Sequence, residues 1–169
     1  ALKIAGRIEG AVCSIGIHPH DALSFDKKAY EILYKTAVEN KETVKAIGEI
    51  GLDYYRDLSP RDAQKEAFIR QIKLAKDLDL PVIIHNRDAH EDVINILTQA
   101  HKDGLLREKA GVFHCFSGSF EIARIAMDLG FYISFAGPVT FKNASKTVDV
   151  MRKIPQDRIF IETDCPYLT

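Results

Sequence analysis

Five short runs concentrate the residue types that bind metals and move protons: Gly-Ile-His-Pro-His at 16–20, Ile-Gly-Glu-Ile-Gly-Leu-Asp at 47–53, Ile-Ile-His-Asn-Arg-Asp at 83–88, Val-Phe-His-Cys-Phe at 112–116 and Ile-Glu-Thr-Asp-Cys-Pro at 161–166. In each, an imidazole or a carboxylate stands at the end of an apolar stretch, where it is costly unless paired or coordinated. One strand-end histidine is usually just hydrogen-bonded to a neighbouring loop. The joint pattern says more, because four of the six histidines (His18, His20, His85 and His114) stand at such ends, and only His90 and His101 fall in helical segments. Imidazole mixed with carboxylate suits Zn2+, Mn2+ or Fe2+, whereas an all-oxygen set suits Mg2+ or Ca2+. The chemistry implied is that of water activated by one or two divalent ions.

The elements that must position these groups alternate in type. Runs rich in β-branched and aromatic residues cover 11–17, 43–52, 81–85, 110–116, 131–135 and 158–163. Several are apolar almost throughout, as in parallel strands covered on both faces. Helical spacing lies between them, best defined over 59–80, where Ser59 is the expected N-cap, Pro60 the first helical residue and Asp62 a first-turn acid. Phe68, Ile72, Ala75 and Leu78 give that helix its apolar stripe. A second helix is expected over 88–101, buried through Val93, Ile94 and Leu97, with others over 27–38, 121–129 and 145–151; Gly104 and Gly130 read as stop signals. The fold class is α/β. Five ligand-bearing strand ends converge on one point only if the sheet curls, so the pattern favours a (β/α)8 TIM-type barrel, here incomplete with about six strands, over an open doubly wound sheet.

Strand alternation sorts the remaining polar groups. Glu162 shares a parity with Asp164 and is expected to hold a ligand histidine or form an ion pair beneath it. Cys115 and Cys165 should point away from the axis and fill the core. Net charge is −1, with 23 basic and 24 acidic residues, which argues against a broad basic surface for nucleic acid but not against local phosphate binding. No apolar run approaches the roughly 20 residues of a membrane span. Cys13, Cys115 and Cys165 form no close pair, which suits a reducing cytoplasm. No obligate protein partner is evident.

The segments GIHPH at 16–20, AIGEIGLDYY at 46–55, PVIIHNRDAHED at 81–92, GVFHCFSGS at 111–119 and IFIETDCPYLT at 159–169 resemble, in order, the TatD family of metal-dependent deoxyribonucleases, amidohydrolase-like barrels. The resemblance implies that Glu49 bridges two divalent metals and that His85 and His114 ligate one of them. It implies that Asp164 binds the other metal and handles the proton of the attacking water, and that His18 contacts substrate. Arg87 is placed for a phosphate oxygen, or else for a surface ion pair. The family's opening His-x-His strand has no counterpart outside His18–His20, which Pro19 marks as a different motif. The single domain over 1–169 is therefore expected to be partial, without the first two strands and the final helix, and with its second metal weakened. The expected function is hydrolysis of DNA phosphodiesters by metal-activated water. The alternatives are an amidohydrolase acting on a small-molecule carbon–nitrogen bond and a non-catalytic phosphate- or nucleic-acid-binding module.

Overall fold

The computed structural model describes residues 1–165; the end of the last motif, 166–169, lies outside them. Six strands are present: β1 (Cys13–Ile15), β2 (Val44–Asp53), β3 (Val82–Arg87), β4 (Gly111–Phe113), β5 (Phe131–Phe135) and β6 (Ile159–Ile161). The helices are α1 (Leu2–Ala5), α2 (Lys27–Glu39), α3 (Arg61–Asp77), α4 (His90–Lys102), α5 (Phe120–Asp128) and α6 (Ser145–Met151). All five strand pairings are parallel and the order is β1-β2-β3-β4-β5-β6. A doubly wound sheet reverses its order at a switch point, whereas this one never does. The architecture is an arc of a TIM-type barrel, and among the described residues β1 and β6 are not paired with each other.

The core fills the space between this arc and its helices. Ile47, Ile50, Leu52, Ile84, Phe113, Phe131 and Ile133 from the strands pack with Phe68, Ile72, Leu74, Val93 and Leu97 from α3 and α4. The stripes read from helical spacing are thus the ones that are buried. Val12 and Ile161, at the two outer strands of the arc, are 56% and 88% exposed.

Three local expectations are corrected. Ser59 does not cap α3. Pro60 occupies the N-cap position, and the buried Ser59 hydroxyl donates to the His20 carbonyl at 2.7 Å. Helix α4 starts at His90, not at residue 88, because Asp88 has φ +54°, a left-handed conformation that no helix can include. Strand β4 stops at Phe113, and Cys115 follows with φ +45°. Strand alternation no longer governs Cys115, which turns toward the site instead of packing away from it. Cys165 is exposed and is not a core filler either. Gly104 and Gly130 do end α4 and α5, with φ +67° and +90°.

Candidate metal centre

Glu49 reaches the site through an irregularity in its strand. Between Ile47 and Ile50, β2 advances three residues while β3 advances two, from Val82 to Ile84, so one residue of β2 is extra. Such a bulge re-aims the side chains beside it. Directly afterwards Gly51, at φ +143°, lies flush against β3, where a Cβ would stand 1.9 Å from the His85 carbonyl oxygen. No other residue fits there.

One oxygen of Glu49 is the hub. His85 Nδ1 lies 2.7 Å from Glu49 Oε1, His114 Nε2 3.7 Å and His18 Nε2 3.8 Å. Behind His85, its Nε2 lies 3.0 Å from Asp53 Oδ2, and the same oxygen lies 2.8 Å from His20 Nε2. The other Asp53 oxygen accepts the backbone N–H groups of Tyr55 and Arg56 at 3.0 and 2.7 Å. Behind His114, its Nδ1 donates to Glu162 Oε2 at 2.6 Å, and Glu162 Oε1 accepts the Cys115 N–H. Each of these two imidazoles is thus held from the back by a carboxylate, the arrangement that fixes tautomer and orientation in metal-bound histidines. Asp164 Oδ1 stands 3.7 Å from His114 Nε2.

Helix α3 secures the His18–His20 segment and the end of β2 with two buried glutamines. Gln71 accepts the Ile17 N–H at 2.7 Å and donates to the Ile17 carbonyl at 3.0 Å. Gln64 does the same for Asp53 at 2.9 and 3.3 Å, and also donates to the Ser59 carbonyl. They stand in for ladder hydrogen bonds where the strands end, so the buried backbone groups there keep their partners.

The electrostatics follow from this packing. Burial, with His85 alongside, pushes the His18 pKa down to about 4, so at neutral pH its ring is uncharged. Burial works against ionising Glu49, but the His85 hydrogen bond and the nearby His114 outweigh it and hold the carboxyl below its usual range. Burial likewise opposes ionisation of Asp53, yet the Arg56 N–H and the two histidine hydrogen bonds bring it down to about 2. The Glu162 hydrogen bond raises His114 against the opposing effect of burial. Burial and the charge of Asp164 lift the Cys115 thiol to about 11, leaving it a neutral, inert wall of the site.

These groups line a cavity of about 800 Å³ that also includes Arg56, Arg87, Leu58 and Asn86. The donor set fits a divalent ion. Two ligands on a tetrahedral ion with 2.0–2.1 Å bonds lie about 3.4 Å apart. Ligand atoms of His18, Glu49 and His85 lie within 4.8 Å of one another, and those of His114 are 3.7 Å from both Glu49 and Asp164. The closest trio therefore contains His18, expected only to touch substrate, while His114 stands just outside it beside Asp164.

The structure brings His18, Glu49, His85, His114, Asp164 and Arg87 to one cavity. Arg87 makes no ion pair among the described residues; its guanidinium lies 4.0 Å over the Tyr55 ring. Sequence reasoning had Asp53 and His20 among the strand-end groups and Ser59 as a helix cap; it missed the support they give and the buried Gln64 and Gln71 altogether. The signal was present for the glutamines, since residues 64 and 71 share one helical face with Phe68 and Ala75.

Fold and site together define a TIM-type barrel arc carrying a mixed histidine–carboxylate metal centre toward the carboxyl ends of its strands. A model of the family described as TatD related DNase matches residues 1–169. The chain is 47% identical to the uncharacterized metal-dependent hydrolase YabD of Bacillus subtilis (strain 168), covering 100% of this chain and 64% of that protein. It is 34% identical to the 3'-5' ssDNA/RNA exonuclease TatD of Escherichia coli (strain K12), covering 99% of this chain and 63% of that one. The crystal structure of the TatD homolog YJJV from Escherichia coli K12 superposes with a TM-score of 0.89 at 34% identity, over 99% of this chain and 62% of that one. This chain belongs to the TatD family. It spans less than two thirds of the length of these relatives.

Proposed function

We propose that the protein is a metal-dependent hydrolase that cleaves phosphodiester bonds of DNA. The observation that carries this reading is the convergence of His18, His85 and His114 on Glu49 Oε1, with Asp164 beside them and the cations Arg56 and Arg87 lining the same cavity. A cluster built for one or two divalent cations, with guanidinium groups alongside, suits a phosphate diester. The exonuclease name of the Escherichia coli relative supports the choice of nucleic acid.

In this reading Glu49, His85, His114 and Asp164 hold the metal. When bound, the ion lowers the pKa of water toward neutrality and polarises the phosphoryl oxygen. Asp53 and Glu162 keep the two ligand imidazoles turned toward Glu49. Asp164, the most exposed carboxylate of the cluster, accepts the proton of the attacking water. His18, kept neutral by burial, donates a hydrogen bond to a phosphoryl oxygen, and Arg87 pairs with another. A carbon–nitrogen amidohydrolase is disfavoured, because the carboxylated lysine common in that superfamily has no candidate among the described residues lining the cavity, and Glu49 stands at the hub. The unpaired cysteines fit a cytoplasmic setting; among the described residues no helix is long and apolar enough to cross a membrane.

The test is turnover of a labelled single-stranded oligonucleotide by the full-length protein, with chelator and with added Zn2+, Mn2+ or Mg2+. Metal-dependent shortening of the strand is expected. Metal binding without cleavage of any phosphodiester would overturn the reading.

A further inference from the structure

The loop that follows β2 carries side chains the metal centre does not use. Tyr55 and Leu58 are 60% and 65% exposed. Arg56 and Arg87 are exposed at the cavity and pair with no carboxylate among the described residues. Exposed apolar and cationic side chains on a floppy loop would mean little, but this loop is fixed along its whole length. Asp53 accepts the N–H groups of Tyr55 and Arg56. The Tyr54 hydroxyl donates to Asp92 at 2.6 Å, with the Arg61 guanidinium 4.2 Å over the Tyr54 ring. Asp57 pairs with Arg61 at 3.1 Å, and the Ser59 hydroxyl ties the loop's end to His20. A rigid support therefore presents an aromatic ring to solvent beside a metal centre.

Arg87 completes the arrangement. Its guanidinium lies 4.0 Å over the Tyr55 ring, which settles the cation at the cavity. Arg87 lies over one face of the Tyr55 ring, and the residue as a whole stays exposed. Ring, stacked guanidinium, second guanidinium and an adjacent aliphatic side chain match what single-stranded nucleic acid offers: flat unpaired bases alternating with phosphates. A duplex offers only the outer face of its terminal pair, whereas an unpaired strand offers a free face at each base it can unstack. Proteins, sugars and lipids lack this alternation of planar ring and anion.

We infer that Tyr55, backed by Arg87, is a stacking subsite for an unpaired nucleobase next to the bond to be cut, and that Arg56 takes the neighbouring phosphate. This rests on the phosphodiesterase reading and deepens it: the loop 54–59 selects single-stranded ends through a contact that no metal ligand makes.

The experiment is binding, not turnover, so it does not depend on a loaded metal centre. The full-length protein is titrated in chelator against two fluorescein-labelled probes, deoxythymidine decamer and a fully abasic decamer with the same phosphates. Tyr55→Ala is expected to weaken the thymidine decamer about 10-fold, the scale of one base stacked on an aromatic ring, and the abasic decamer no more than about 2-fold. Tyr55→Phe keeps the ring and should bind both probes as the unaltered protein does, which guards against a folding defect. Arg56→Ala should weaken both decamers alike and lower the salt slope by about one phosphate contact. Equal losses on both probes for Tyr55→Ala, or no loss on either, would overturn the stacking subsite while leaving the phosphodiesterase reading standing. Failure of the unaltered protein to bind the thymidine decamer more tightly than the abasic one would overturn the stacking subsite; the phosphodiesterase reading stands or falls on the metal-dependent turnover test.

Discussion

His85 and His114 are supported very differently. His85 leans on Asp53, which is 1% exposed, takes two imidazoles and two backbone N–H groups, and sits on a strand end fastened by Gln64. His114 leans on Glu162, which lies just past the three-residue strand β6 in a half-exposed setting, and Asp164 beyond it has a side chain 35% exposed. One half of the centre is built into the core through α3. The other hangs from short strands at one side of the arc. The difference is one of anchoring: the Asp53 side is tied to α3 through Gln64, and the Glu162 side to His114 and the Cys115 N–H.

The largest effect should come from the carboxylate beside His114. In the full-length protein, Asp164→Asn keeps size but removes basicity, and should lower turnover by about 100-fold or more with little change in oligonucleotide affinity. Near-normal turnover at saturating metal would make Asp164 structural and erase the contrast.

Next come the two supporting carboxylates. Asp53→Asn and Glu162→Gln should each weaken metal affinity by 10–100-fold, measured by competition with a chromogenic chelator. The Asp53 variant should lose more melting temperature, since Asp53 is itself buried and holds two backbone N–H groups where Glu162 holds one. Equal destabilisation by both would break the comparison.

The glutamine staples set a smaller scale. Gln71→Ala leaves the buried Ile17 N–H and carbonyl without partners and should cost about 2 kcal/mol in denaturant unfolding, while the His114 half keeps its geometry.

A pH series on the metal-free protein sharpens the contrast further. The Asp53 carboxyl is depressed in the fold, from 3.8 to about 2. Its stabilisation is therefore fully present above about pH 4 and fades as pH falls toward 2. Asp53→Asn should flatten that acid limb of the stability curve; an unchanged limb would show that the loss arises elsewhere. The smallest effect belongs to the exposed Cys165, where Cys165→Ser should alter stability by no more than about 0.5 kcal/mol.

The sequence by itself determined the parallel α/β class, since its apolar runs, at 43–52, 81–85 and 131–135 among others, alternate with segments of helical spacing, and the stripes of α3 and α4 pack into the core. It also determined which groups would meet. His18, His85, His114 and Asp164 stand at or just past the ends of apolar runs, Glu49 lies within one, and parallel strands all bring such ends to one side. Only the tertiary structure decided how they are held. The bulge that re-aims Glu49 is a matter of register between two strands, invisible in either alone. Cys115 left its predicted face because the chain turned out of β4 three residues early, into a backbone conformation that alternation does not anticipate. Ser59 gave up its cap for the His20 carbonyl, a partner 39 residues away. Asp53 became the common support of His20 and His85 because packing brought two strand ends within one carboxylate's reach. Local pattern fixes what a residue prefers; a buried polar group takes whichever partner the fold delivers, since leaving it without one costs more than any local preference returns.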